Sequence, residues 1–341
     1  MEIPPKEPCG LSHDLTLPNS SSPHTTTTPR LVYGTAWKKN ATADLVYKAL
    51  KFGFRGIDTA AQPRHYQERL VGDGVRRAVA EGLVARGELY LQTKFTSIHG
   101  QDPDGLPYDP RAPIEEQVRA SVASSLENLA IPPSPSSREG GNDNSYLDCV
   151  VLHSPLPTLE ETVAAWQALE KYVPHRIRHL GIANAPQEIV EYLLSSSPSD
   201  EGAAQSQSQP ELAVRFPPSV VQNRFHRETG YETSLRRLCR DHGVVFQTFW
   251  TLTGNGHLVK KSDIVGGLAD RVPDGGVSRE TAFYALVLGL RGTSILDGTT
   301  SEEHMRADLE GIRRIERWAD GEGREMWEDT LNSFKRLIKE E

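Results

Sequence analysis

Cysteine is scarce in this chain: three residues among 341, at Cys9, Cys149 and Cys239. An odd number at such wide spacing supports neither a disulfide framework nor a zinc site, and suits free thiols in a reducing compartment. No apolar run approaches the roughly 20 residues of a membrane helix. The opening MEIPPKEPCGLSHDL lacks a basic segment followed by an apolar one, so no secretory signal is expected and the sequons at Asn19 and Asn40 read as chance. Positive charge is also short, with 38 Lys and Arg against 46 Asp and Glu, a formal net charge of −8. That argues against a broad nucleic-acid or anionic-membrane surface. Three motifs are missing as well. No G-x-G-x-x-G follows an early strand, no Walker sequence occurs, and no H-E-x-x-H offers metal-ligand spacing. The expected address is the cytoplasm.

What is present is an alternation. Residues 1–29, rich in Pro, Ser and Thr, read as a disordered leader. From residue 30 onward, short apolar runs alternate with amphipathic ones. RLVYGTA (30–36), FRGIDTA, ELYLQTKF (88–95), YLDCVVLH (146–153), RIRHLGIAN, PSVVQNRF, VVFQTFW and GTSILDG read as strands. A helical segment follows each, as in IEEQVRASVASSLENL, where Val118, Val122, Leu126 and Leu129 share a face. After Trp250 the pattern is less regular, and a last amphipathic helix carries Trp327, Leu331, Phe334, Leu337 and Ile338. Strands too apolar to face water on either side imply parallel pairing under helices. About eight such units imply an α/β fold of the (β/α)8 TIM-barrel type, one domain over 30–341. A doubly wound sheet is the runner-up. Two polar inserts, at 132–145 and 195–211, each join a helix to the next strand and fall on the face opposite a barrel's active site. The long connection 95–113 follows a strand and should overhang the catalytic mouth.

Chemistry collects at the strand ends. Asp58 ends the second strand, Lys94 lies near the end of the third, His153 ends the fourth, and Tyr66 follows in the loop after Asp58. Singly, each has a bland reading as a solvated charge or a satisfied polar group. Jointly they suit proton transfer to a carbonyl oxygen. A free tyrosine, with a pKa near 10, is a reluctant acid; a nearby ammonium favours its phenolate, and a carboxylate keeps that ammonium charged. A histidine can polarise and orient the carbonyl.

The same segments resemble the aldo-keto reductase family over about residues 31–309. GTAWK (34–38) and GIDTA resemble its first two strand ends, YLQTKF carries the lysine, and SLENL followed by YLDCVVLHSP carries the histidine. The resemblance implies a catalytic tetrad of Asp58, Tyr66, Lys94 and His153 with Tyr66 as general acid. Tyr66-Gln67-Glu68 resembles the family's Tyr-x-Asn-Glu, but the spacing from Asp58, 66 − 58 = 8, exceeds that of most members, so AQPRH must bulge outward. Tyr108 is the reserve acid, and Trp37, His65 and Tyr108 are the implied substrate-pocket residues, with Arg64 a further contact. The resemblance also implies a nicotinamide cofactor, NADPH with NADH as rival. Thr35, Ala36, Asn184, Gln222, Phe249, Trp250, Thr251, Leu252, Thr299, Thr300, His304 and Asp308 would contact it. GIAN has Ala183 where the family has serine, and FWTL has Phe249 where it has tyrosine. Gly298 and His304 occupy positions where NADPH-preferring members place lysine and arginine. The implied activity is reduction of a small aldehyde or ketone by a protein acting as a monomer, without metal. Two rivals stand beside it: a cofactor-sensing module like the β subunits of potassium channels, and an unrelated barrel using Lys94 as a Schiff-base nucleophile.

Overall fold

The computed structural model describes residues 8–18, 26–131, 145–195 and 212–340. The two polar inserts therefore lie almost wholly outside the described residues, as do parts of the leader. Eight parallel strands close into a barrel in chain order: β3 (Leu31–Gly34), β4 (Gly56–Asp58), β5 (Tyr90–Phe95), β6 (Leu147–Leu152), β7 (Ile177–Ala183), β8 (Val220–Arg224), β9 (Val245–Phe249) and β10 (Thr293–Asp297), which pairs back onto β3. All eight fall within the runs read as strands, and the (β/α)8 expectation holds. The crossover helices are α1 (Thr42–Phe52), α2 (Glu68–Ala80), α3 (Ile114–Asn128), α4 (Leu159–Glu170), α5 (Gln187–Ser195) and α6 (Thr233–Asp241). Beyond β9 come α7 (Gly256–Lys261), α8 (Asp263–Arg271) and α9 (Arg279–Leu288), so the irregular stretch after Trp250 contains two short helices. Then follow α10 (Glu302–Asp320) and α11 (Arg324–Leu337). In α11, Trp327 and Phe334 are buried and Leu337 faces out. No helix among the described residues is long and apolar enough to cross a membrane.

Two expectations change. The described part of the leader is ordered. β1 (Leu15–Thr16) pairs antiparallel with β2 (Thr27–Thr28), and Leu11 and Leu17 are buried. These two leucines supply the apolar area that the Pro/Ser/Thr composition conceals. Leu17 packs against Tyr90, Cys149, Val151, Ala183, Val220 and Val245, closing the barrel's lower end. The sequence reads ERLVGDGVRRAVAEGL as a helix that tolerates its glycines, whereas the structure requires them: a Cβ on Gly72 would lie 1.9 Å from Asn128 O, and one on Gly74 would lie 2.5 Å from Ala43 O. They allow α2 to approach its neighbours on both sides.

Period two along the strands stacks the interior in layers. Tyr90, Gln92 and Lys94 alternate up β5; Val220, Gln222 and Arg224 up β8; Val245, Gln247 and Phe249 up β9. The lowest of each set joins the apolar layer over Leu17. Above it lies a layer of amides. Gln92 and Gln222 each donate through Nε2 to Gln247 Oε1 at 2.7 Å, and Tyr90 Oη donates to Gln92 Oε1 at 2.6 Å. The third members reach the upper mouth.

Candidate active site

Asp58 sits where the amide layer meets the mouth. Its Oδ1 accepts from Gln92 Nε2 at 2.6 Å and Gln222 Nε2 at 3.2 Å, and its Oδ2 lies 2.6 Å from Lys94 Nζ. Lys94 also donates to Thr59 O at 2.9 Å, and its side chain is 1% exposed. Burial alone would strip the lysine of its proton. The Asp58 carboxylate and the Tyr66 hydroxyl more than offset that, and hold its pKa above the ordinary lysine value. A nearly inaccessible, firmly protonated amine is a poor Schiff-base nucleophile.

Tyr66 reaches this ammonium from the loop after β4. Its amide donates to Gln62 O at 3.0 Å, closing a turn that leaves Pro63 and Arg64 at the surface. Two residues on, Glu68 opens α2 and ties it to the barrel wall and α3. It accepts from Thr93 Oγ1, from Ser125 Oγ at 2.9 Å and from Asn128 Nδ2 at 3.1 Å. The Tyr66 ring centroid lies 5.0 Å from Lys94 Nζ and 6.0 Å from that of His153, edge to face. The expectation of a lowered phenol pKa is met only in part. Burial raises it, Lys94 lowers it, and the net shift is upward, so the hydroxyl stays protonated at neutral pH. His153 is held neutral: burial first, then Lys94 and His65, push its pKa well below the usual histidine value. Its Nδ1 lies 2.6 Å from Thr96 Oγ1.

A cavity of about 900 Å³ runs from this quartet across the mouth. Asp58, Tyr66 and His153 line it with Ala36, Trp37, Asn184, Gln222, Phe249, Trp250, Thr251 and Leu252, as do Thr299, Thr300, His304 and Asp308 from the loop after β10 and α10. A hollow of similar size, about 800 Å³, lies beside α6 and holds none of the quartet. Three wall residues, Trp37, Asn184 and Trp250, have φ between 51 and 65°, the left-handed region that costs a non-glycine residue about 1–3 kcal/mol. Each follows the C-terminal end of a strand, and the surrounding barrel holds it there.

Three expected residues stand elsewhere. Thr35 is fully buried, with its amide and hydroxyl both bonded to Asp58 O at 3.1 and 2.9 Å. Tyr108 is buried under the mouth loop, donating to Thr96 O at 2.7 Å, and burial pushes its pKa up to about 12. His65 stacks on Trp37 with ring centroids 3.9 Å apart, behind the cavity wall. Other wall residues escaped the sequence reading. Lys38 donates to the carbonyls of Gly298 and Thr299 and so pins the loop after β10. Asp297, also not singled out, forms a buried carboxyl pair with Asp308, one of the expected contacts. Burial and then Asp297 push Asp308 up to about 8, so it carries a proton at neutral pH. Tyr284 and Arg224 complete the wall. A lysine beside an exposed tryptophan, or an arginine ending a strand, reads as surface charge; only the period-two row shared with Gln222 could have flagged Arg224.

Whether a nicotinamide nucleotide fits can be judged from the amides. Gln222 spends its Nε2 on Asp58 and Gln247, and Asn184 donates its Nδ2 to His153 O at 2.9 Å. Neither amide oxygen has a hydrogen-bond partner among the described residues, and both side chains line the same cavity as Phe249. Two free acceptors suit the NH2 group of a nicotinamide carboxamide, and Phe249 offers an aromatic ring in the same cavity. Along the same wall, α10 presents its N-terminus, capped by Ser301 Oγ accepting from His304 N at 3.3 Å, a favourable place for a phosphate.

A closed parallel barrel thus carries a Lys–Asp pair, a tyrosine and a neutral histidine at its C-terminal mouth, and that fold and site define the class of protein to compare it with. The model of the Aldo/keto reductase family matches residues 30–273, and the chain belongs to that family. It is similar to the NADPH-dependent D-xylose reductase of Meyerozyma guilliermondii, 28% identical over 54% of this chain and 57% of that protein. It is also similar to the NAD(P)H-dependent D-xylose reductase of Candida tenuis, 30% identical over 54% of this chain and 56% of that protein. The match thus spans little more than half of these two relatives. An uncharacterised oxidoreductase of Schizosaccharomyces pombe is 23% identical over 83% of this chain and 82% of its own. Among solved structures, a silkworm aldo-keto reductase complexed with NADPH shares the fold with a TM-score of 0.63 at 16% identity, covering 90% of this chain and 88% of its own.

Proposed function

We propose that the protein is an NAD(P)H-dependent carbonyl reductase that converts an aldehyde or ketone to an alcohol, with NADPH as cofactor and NADH as the alternative donor. The observation that carries this reading is the buried Lys94–Asp58 pair at 2.6 Å directly beneath the Tyr66 hydroxyl. The reductase names of the relatives support the cofactor class.

When bound, a reduced nicotinamide supplies the hydride. Asn184 and Gln222 would hold its carboxamide, Phe249 its ring, and Thr251, Leu252, Thr299, Thr300, His304 and Asp308 the rest of the nucleotide. Tyr66 then gives its phenolic proton to the substrate oxygen as that oxygen gains negative charge. The phenolate left behind is stabilised by the Lys94 ammonium, which Asp58 keeps charged. In the tautomer of His153 in which Thr96 donates to Nδ1, Nε2 carries the hydrogen and donates to the carbonyl oxygen, orienting it. Trp37 shields one side of the mouth. Three unpaired cysteines support a cytoplasmic location, and we take the protein to act as a monomer on a small-molecule carbonyl. The test is oxidation of NADPH and of NADH by purified protein with a panel of aldehydes and ketones. Turnover supports the reading. Tight nucleotide binding without turnover on any of them favours the cofactor-sensing alternative.

A further inference from the structure

Arg224 is the third member of the β8 row, above Val220 and Gln222, and lines the same cavity as Tyr66 and His153. Its guanidinium carbon lies 4.7 Å from the ring centroid of Trp250 and 5.5 Å from that of Phe249. No carboxylate pairs with it among the described residues. Of the two lysine or arginine side chains lining the cavity among those residues, Lys38 is bound to backbone carbonyls, so Arg224 alone carries an uncommitted charge. Trp250 lines a neighbouring hollow of about 610 Å³ as well, together with Thr253, His226, Arg227 and Glu228, whose carboxylate lies 4.0 Å from His226 Nδ1.

Stacking on aromatic faces orients a guanidinium while leaving its edge N–H groups free, and a guanidinium gives up its water more readily than an ammonium does. That edge matches a carboxylate or a phosphate in a bidentate contact. We propose that Arg224, with Arg227 behind it, recognises an anionic group on the carbonyl substrate, so that the preferred substrates are aldehydes or ketones bearing a carboxylate or phosphate. The inference rests on the reductase reading. The cofactor's own pyrophosphate has the same chemistry, and the experiment separates the two sources.

The probes are two matched pairs: para-formylbenzoate against its methyl ester, and glyceraldehyde phosphate against glyceraldehyde. For wild type, Arg224→Gln, Arg224→Lys and Arg227→Gln, kcat/KM is measured for all of them. The Kd of NADPH and of NADH is measured separately by quenching of tryptophan fluorescence. Wild type is expected to favour the anion within at least one pair. Arg224→Gln should lower that anion-to-neutral ratio by about tenfold to a hundredfold. Arg224→Lys should restore part of it, because charge returns without the fork, and Arg227→Gln should lower it less. A ratio unchanged in Arg224→Gln overturns the inference. If, with that unchanged ratio, both nucleotides bind at least tenfold more weakly, the arginine serves the pyrophosphate instead. Absence of turnover on every carbonyl, with nucleotide still bound, overturns the reductase reading and this inference with it.

Discussion

Replacing Lys94 with methionine removes one half of the buried ion pair and keeps most of the side-chain volume, so little cavity term enters. The structure sets the magnitude. Both partners are almost inaccessible, at 1% and 2% exposed, and Nζ also satisfies Thr59 O. Stranding a buried charge in this way costs about 3–5 kcal/mol. Asp58 Oδ1 keeps its bonds from Gln92 and Gln222, which places the expected loss at the lower end, about 3 kcal/mol. The assay is urea denaturation followed by tryptophan fluorescence and far-ultraviolet circular dichroism. Adding Asp58→Asn removes the stranded charge and should recover about half of the loss. A loss below about 1 kcal/mol, typical of an exposed pair, would refute the reasoning. A double variant no more stable than Lys94→Met alone would refute it too.

Two further outcomes concern the α10 side of the cavity and the shell. Burial and Asp297 raise Asp308 to about 8 in the folded protein. A raised carboxyl contributes stability that is fully present below its unfolded value, about pH 4, and is lost as pH rises through the folded value. Asp308→Asn should therefore be more stable than wild type at pH 8, by on the order of 2 kcal/mol, with the gap closing toward pH 4 in denaturation curves. Gly72→Ala drives a methyl against the backbone carbonyl of Asn128, which Arg76 Nη1 also contacts at 3.0 Å. It should cost at least about 2 kcal/mol, whereas Gly87→Ala, which meets nothing within 4 Å, should stay within about 0.5 kcal/mol in the same assay.

The barrel was legible because its strands are apolar on both faces and its helices are not, a contrast that survives in one sequence. The candidate quartet stood out in the sequence for a related reason. Charged or ring side chains stand at the ends of three consecutive buried strands, at Asp58, Lys94 and His153, and Tyr66 lies in the loop after the first of them. The amide layer was not legible. Gln92 and Gln247 sit mid-strand, where a glutamine reads as a weak break in the pattern. Their role depends on Asp58 and Gln222 arriving from other strands at the same height. Thr35 and Tyr108 were misplaced for the converse reason: they are near the mouth along the chain, yet their hydroxyls are turned to Asp58 O and Thr96 O. The ordered part of the leader was hidden by composition: Leu11 and Leu17 are buried among many Pro, Ser and Thr residues, and polar contacts such as Cys9 N to Asp320 Oδ1 at 2.8 Å and Ser219 Oγ to Pro18 O at 2.7 Å help hold it.

The central claim is that Tyr66 delivers the proton. Its most direct test is Tyr66→Phe beside wild type, with turnover of an aldehyde and nucleotide Kd measured on the same preparations. We expect nucleotide binding to persist and kcat to fall by about a hundredfold or more. A Tyr66→Phe protein that turns over like wild type, or equal loss in Tyr108→Phe with binding intact, would contradict it.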